Sequence, residues 1–224
     1  MKVIWIGQAG LMLEINNKII LIDPYLSDSI AKTDAAKKRR IPIDSSFLNV
    51  KPDVVILTHN HLDHTDPETL KYYLKEDTNI LVLASKNAWE KVREFGGENN
   101  YVMFNYGTEW TERGINFRAI NAEHSDEFAI GVIIEAENKR IYITGDTLYN
   151  ADIFKDIPDN VDVVFLPVNG VGNNMNMQDA KRFCERINPQ IAVPVHCGMF
   201  DDIDMNEFDY KNKIVPQIYK EIEL

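Results

Sequence analysis

Val54-Val55-Ile56-Leu57-Thr58-His59-Asn60-His61-Leu62-Asp63-His64-Thr65-Asp66-Pro67-Glu68 is the stretch on which the fold of this chain turns. Its first four residues form an unbroken apolar run, the pattern of a strand covered on both faces, as in a parallel sheet. Its last three have the grammar of a helix start: a capping Asp, Pro at the first helical position and an acid in the first turn. The reading extends that helix to about Lys75. Between strand and helix stand three histidines and an aspartate within six residues. Neutral imidazole and carboxylate are the donors that suit zinc and its first-row neighbours. Core packing does not explain such a run, because each buried imidazole would need its own hydrogen-bond partner.

The other two of the five histidines, His124 and His196, also follow expected strands, Ile115–Asn121 and Ile191–Val195. Asp146 follows Arg140–Thr144 in Thr144-Gly145-Asp146-Thr147. Ligands of open α/β sheets gather beyond the carboxyl ends of strands, so these groups are placed to converge.

The 224 residues suit one domain spanning 1–224, and 45% hydrophobic residues with 10% aromatics can build a sizeable core. A net charge of -11 runs against a surface made for nucleic-acid phosphates, although bound divalent cations would reverse the sign locally. Nucleic acid is therefore not an expected partner, and a small-molecule substrate is. Two cysteines, Cys184 and Cys197, are too few for a disulfide framework. No apolar run has the length of a membrane span, and the start lacks a signal-peptide core. A reduced, cytoplasmic protein is the expectation, with homo-oligomerisation left open.

Around the central stretch, Val3–Ile6, Leu11–Ile15 and Lys18–Ile22 read as an antiparallel meander turning at Asn16-Asn17 and closing at Asp23-Pro24. Residues 27–51 have no clear period and read as a long excursion with room for one short helix. Ile80–Ala84, Tyr101–Phe104, Phe128–Glu135 and Val161–Leu166 read as further strands. Asn87–Phe95 reads as a helix stopped by Gly96-Gly97, and Met177–Ile187 as an amphipathic one. A last helix is expected within Glu207–Glu223, interrupted near Pro216.

In their order along the chain, His59-Asn60-His61-Leu62-Asp63-His64, His124, Gly145-Asp146-Thr147 and His196 resemble the ligand motifs of the metallo-β-lactamase superfamily. The resemblance covers most of the chain and implies an α/β fold, the four-layer αβ/βα sandwich of two mixed sheets flanked by helices. It further implies two divalent metal ions. His59, His61 and His124 would bind the first, Asp63, His64 and His196 the second, and Asp146 would bridge. Zinc fits these donors best, with manganese and iron as alternatives. Trp5–Gly10, Asp23–Leu26, Gly145–Tyr149 and His196–Phe200 are similar to the branch containing L-ascorbate-6-phosphate lactonase. The enzymes of that type are considerably longer, so the substrate does not transfer.

The expected activity is hydrolysis by a hydroxide held between metals about 3.5–4 Å apart, acting on a small lactone or ester that can carry phosphate. Asp63 would be both ligand and catalytic proton carrier. A phosphodiesterase or RNA-processing nuclease shares the motifs and is the alternative. A flavodiiron-type reductase would have Glu at the position of His61. Within Lys37-Lys38-Arg39-Arg40, Arg40 has the planar fork suited to an oxyanion, and the alternative is a solvated charge run. Tyr149 either donates to substrate or packs. Asp23 either supports a ligand histidine or simply ends a strand. Cys197 reads as a small buried neighbour of His196.

Overall fold

A computed structural model describes residues 1–224. The chain forms two six-stranded mixed sheets. In the first, β1 (Lys2–Gly7), β2 (Gly10–Ile15) and β3 (Lys18–Ile22) form the antiparallel meander. Then β4 (Val54–Leu57), β5 (Leu81–Ala84) and β6 (Asn100–Met103) continue it in parallel. In the second, β7 (Glu109–Glu112), β8 (Ile115–Asn121), β9 (Ile130–Ala136) and β10 (Lys139–Ile143) run antiparallel. Parallel strands β11 (Val163–Pro167) and β12 (Ile191–Val195) complete it. Three hairpins share one device, a two-residue turn with both residues at positive φ: Asn16-Asn17, Arg113-Gly114 and Glu137-Asn138. Such turns match the right-handed twist of the strands they join.

The inner faces of both sheets contribute to one apolar cluster, which runs from Val3, Leu13 and Ile56 to Phe117, Val132 and Val193. The outer face of the first sheet is covered by α1 (Pro67–Leu70) and α2 (Lys86–Val92) over Val55, Leu57 and Val82. The outer face of the second is covered by α3 (Met177–Ile187), which presses Ala180, Phe183 and Cys184 onto Tyr142, Val164 and Leu166. The result is the four-layer αβ/βα sandwich. Because β3, β4 and β5 lie side by side and parallel, Asp23 and the histidine run after β4 emerge at one end. In the second sheet β10, β11 and β12 bring Asp146 and His196 to their own carboxyl ends.

The structure corrects four element readings. The last helix within Glu207–Glu223 does not form; beyond a single 3-10 turn at Met205–Glu207 the tail is irregular. It instead caps two sheet edges. Ala192 N donates to Asn212 O beside β12, while Tyr219 N and Ile222 N donate to Trp5 O and Val3 O beside β1. Edge strands present rows of unpaired backbone groups, and pairing them outweighs the weak helical preference of a Pro-interrupted segment. The helix after Asp66 has regular geometry only to Leu70, with looser turns to Leu74. The excursion at 27–51 holds three 3-10 turns, Ile30–Lys32, Ala35–Lys37 and Phe47–Asn49, where one short helix was expected. Strand β7 carries no sequence signal, because its four residues lie at an edge and Trp110 is the one apolar side chain among them.

Candidate metal centre

The loop after β4 is held in place from both sheets. Asp23, buried and at φ 44° just past β3, accepts from Thr58 N at 2.8 Å and Thr58 Oγ1 at 2.5 Å. Asp126, from the second-sheet side, accepts from Asn60 N at 3.0 Å and Asn87 Nδ2 at 2.7 Å. The loop then turns back on itself, with Thr65 Oγ1 donating to His59 O at 2.7 Å. Asp66 caps the following helix through Glu68 N and Thr69 N. The residues from His59 to His64 thus sit on a loop with both ends fixed.

Two groups of donors result. The rings of His59, His61 and His124 form a near-equilateral triangle with centroids 4.6, 4.7 and 4.8 Å apart. Asp63, His64 and His196 form the second group, with His196 Nε2 at 3.4 Å from Asp63 Oδ2 and 3.3 Å from His64 Nε2. Asp146 reaches into this second group, Oδ1 at 3.3 Å from His64 Nε2 and Oδ2 at 3.2 Å from His196 Nε2. Its position depends on Gly145. At φ 61° a Cβ there would stand 2.6 Å from Ile130 O, so a side chain would displace the carboxylate that follows. All seven residues singled out from the sequence as ligands therefore lie together.

The two groups differ electrostatically. Burial holds His59 well below the usual imidazole range, and the neighbouring His64 adds to this. Burial also lowers His124. Both shifts favour the neutral ring, which presents a lone pair. In the second group burial opposes a positive charge, but Asp146, Asp23 and Asp63 outweigh it and raise His64 well above its ordinary value. Asp146 and Asp63 likewise push His196 up to about 10. Burial would raise Asp63 and Asp146, yet the two protonated histidines beside them bring both below the usual carboxylate range.

Supporting residues are laid out in a second ring. Asp23 Oδ2 lies 2.8 Å from His64 Nδ1, which resolves its role in favour of supporting a histidine. Asn174, buried, donates to Asp146 Oδ2 at 2.9 Å. Gln8, at φ 50° in the turn between β1 and β2, donates through Nε2 to Asp63 Oδ2 at 2.8 Å and accepts His196 N at its carbonyl. Asn169 Nδ2 is 3.1 Å from His196 Nδ1. Gln8, Asn169 and Asn174 were not singled out from the sequence. Amides carry no local signal of this role, although Gln8 between Gly7 and Gly10 marks a turn at a strand end.

Arg40 and Tyr149 are not brought to the site. The Arg40 guanidinium pairs with Asp202. Tyr149 packs on Phe154, with the Arg182 guanidinium 4.6 Å from its ring centre. The cavity over the donors has a volume of about 560 Å³, and neither residue lines it. Cys197 is a buried thiol pushed up to about 12 by burial, so it is not a nucleophile at neutral pH.

A two-sheet αβ/βα sandwich with a His/Asp cluster at the strand ends defines the metallo-β-lactamase class of fold. The chain belongs to that superfamily: the model of the beta-lactamase superfamily domain matches residues 2–196. It is 29% identical over 245 residues to a UPF0173 metal-dependent hydrolase of Thermoplasma acidophilum, covering 100% of this chain and 99% of the relative. Among solved structures it is similar to a metallo hydrolase of the hyperthermophilic archaeon Ignicoccus hospitalis, with a TM-score of 0.77 and 20% identity over 99% of this chain and 97% of the other. An isothiocyanate hydrolase from Delia radicum gut bacteria gives a TM-score of 0.76 at 20% identity, covering 100% and 99%.

Proposed function

We propose that this chain is a metal-dependent hydrolase that holds two divalent cations and acts on a small lactone or ester, including phosphorylated ones. One observation carries the reading. His59 Nε2 is a buried polar atom with no hydrogen-bond partner, and it stands beside the ring nitrogens of His61 and His124. Unpartnered buried polar atoms cost about 1–3 kcal/mol each, which a bound cation would offset. The donor chemistry fits: three imidazoles in one group, imidazoles with carboxylates in the other. His59, His61 and His124 would hold one ion and Asp63, His64 and His196 the other, with Asp146 as the bridge that the resemblance implies. The Thermoplasma relative, similar along its whole length, carries the description metal-dependent hydrolase.

Divalent ions bound there supply Lewis acidity and a water of lowered pKa. The chain's own residues do the rest. Of the two donor carboxylates Asp63 is the more open to the cavity, with a side chain 17% exposed against 5% for Asp146, and Gln8 fixes its orientation. We assign it the transfer of the proton from an attacking water to the leaving group. Asp23 and Asn174 hold His64 and Asp146 against rotation, so the donors need no rearrangement when charge develops on the substrate. Ser125, Asn169 and Asn173 line the cavity and offer neutral hydrogen bonds to a small polar molecule.

Metal analysis of the purified protein, with assays on phosphorylated lactones, acyl esters and bis(p-nitrophenyl) phosphate, tests the reading. Metal-dependent carbonyl hydrolysis without phosphodiester cleavage is expected. Cleavage of the phosphodiester alone would replace the lactone or ester assignment with the phosphodiesterase one. A metal-free protein with undiminished hydrolysis would overturn both.

A further inference from the structure

We infer that Lys37 is the anchor for an anionic group on the substrate, so that the molecules turned over carry a carboxylate or phosphate at the end remote from the bond that is cut. The inference rests on the hydrolase reading above and adds the substrate's charge to it.

The basic run at 37–40 is divided by the structure into different tasks. Arg39 is consumed internally: Nε donates to Ile41 O at 2.8 Å, Nη1 to Tyr25 O at 2.8 Å and Nη2 to Tyr219 Oη at 3.0 Å. Arg40 pairs with Asp202 outside the cavity. Lys38 is exposed and does not line it. Lys37 does, and it is the one Lys or Arg in the wall that also contains His61, Asp63, Asp146 and His196.

Its backbone is fixed while its ammonium stays available. Lys37 closes the 3-10 turn Ala35–Lys37, which Asp34 caps by accepting from Ala36 N at 3.1 Å, and Lys37 N donates to Asp34 O at 3.0 Å. The Lys37 Nζ has one ion-pair contact, Asp34 Oδ2 at 4.0 Å, with both side chains about half exposed. A pair so long and so wet is worth little, so exchanging it for a closer oxyanion costs little. The chain as a whole carries a net charge of -11. A lysine held only by a long, solvent-exposed pair, on a wall rich in carboxylates and amides, is where an anion would be recognised by charge. The cavity volume of about 560 Å³ suits a small molecule that spans from Lys37 to the donors. Ile30, Val171 and Phe200 add apolar surface to the same cavity.

The test uses the metal-loaded full chain with two esters matched in length, 4-nitrophenyl butyrate and mono-4-nitrophenyl succinate, which ends in a carboxylate. The readout is discrimination, the ratio of kcat/KM for the charged ester to that for the neutral one. K37A is expected to lower this ratio by about tenfold, within the range for hydrogen bonds to charged groups. The loss should lie in KM, K37R should restore most of it, and K38A should leave the ratio at the wild-type value. An unchanged ratio in K37A would overturn the inference. Calorimetric binding of succinate and of 3-phosphonopropionate to the metal-loaded protein, with and without K37A, covers the case in which neither ester is hydrolysed. A roughly tenfold weaker K37A then supports the anchor while the hydrolase reading fails, and equal affinities overturn the anchor. The tighter of the two acids tells carboxylate from phosphate.

Discussion

Asp23→Asn changes one oxygen to an amide nitrogen with almost no change in volume, and its consequences follow from three contacts. Asp23 accepts from Thr58 N at 2.8 Å, Thr58 Oγ1 at 2.5 Å and His64 Nδ1 at 2.8 Å. Accepting from Nδ1 leaves His64 Nε2 as the nitrogen that faces Asp146 and His196. With an asparagine, the amide NH2 must face either Thr58 or His64. Facing His64, it forces Nδ1 to accept and places the proton on Nε2, the wrong tautomer for binding a cation. Facing Thr58, it opposes the backbone N–H. At least one charge-assisted hydrogen bond is lost, about 1.5–3 kcal/mol. For a chain of this size about 1 kcal/mol moves Tm by about 2–4 °C, so a fall of about 3–12 °C is expected. Loss of such a supporting partner weakens metal affinity by about 10–100-fold. Asp23→Ala would orphan all three donors at about 1–3 kcal/mol each, a cost comparable to total stability, and should not fold. Competition with a chromophoric chelator measures the affinity, and thermal denaturation the stability. A D23N protein that binds zinc within twofold of wild type would refute the reasoning.

Four further predictions concern the same centre. His64 and His196 are raised above an unfolded value of about 6.5, so the stability they lend the metal-free protein is complete below that pH. It is lost as pH rises through about 10, where His196 titrates. The chelated protein should therefore lose Tm between pH 7 and 10 while the loaded protein does not. Zinc binding at pH 7 should release about two protons, read from calorimetry in buffers of different ionisation enthalpy; zero release would contradict protonated donors. Gly145→Ala combines positive φ with a Cβ 2.6 Å from Ile130 O, and should cost about 2–6 kcal/mol in chemical denaturation; a loss below about 0.5 kcal/mol would show that the turn is pliable. Gln8→Ala frees Asp63 to rotate and should lower kcat more than it raises KM, with metal affinity down about tenfold. A purely structural Gln8 would lower Tm and leave kcat intact.

The site was legible in the sequence because its donors are rare residue types placed just beyond strands. All five histidines fall there, and Asp146 follows a glycine whose conformation no other residue adopts cheaply. Strands read well where a buried apolar run or alternation was complete, as in Lys18–Ile22, Ile115–Asn121 and Ile191–Val195, whose bounds coincide with β3, β8 and β12. What failed was decided by long-range pairing. The tail after Glu207 stays irregular because the edges of β1 and β12 need partners, a demand that no local pattern in Glu207–Glu223 reveals. Likewise Arg40 has the better fork for an oxyanion, but Asp202, 162 positions away, takes it. The amides of Gln8, Asn169 and Asn174 hold the donors from two loops far apart in the chain, and sequence alone does not say which of many amides will do so.

The most direct test is metal content against ligand substitution, measured by inductively coupled plasma mass spectrometry on wild type, His61→Ala and His196→Ala, with circular dichroism to check the fold. His61→Ala and His196→Ala each remove a ligand from a different donor group. The account predicts about two divalent ions per chain in the wild type, about one in each variant, and loss of hydrolysis in both with the fold retained. A folded His61→Ala protein that hydrolyses at the wild-type rate after exhaustive chelation would contradict it.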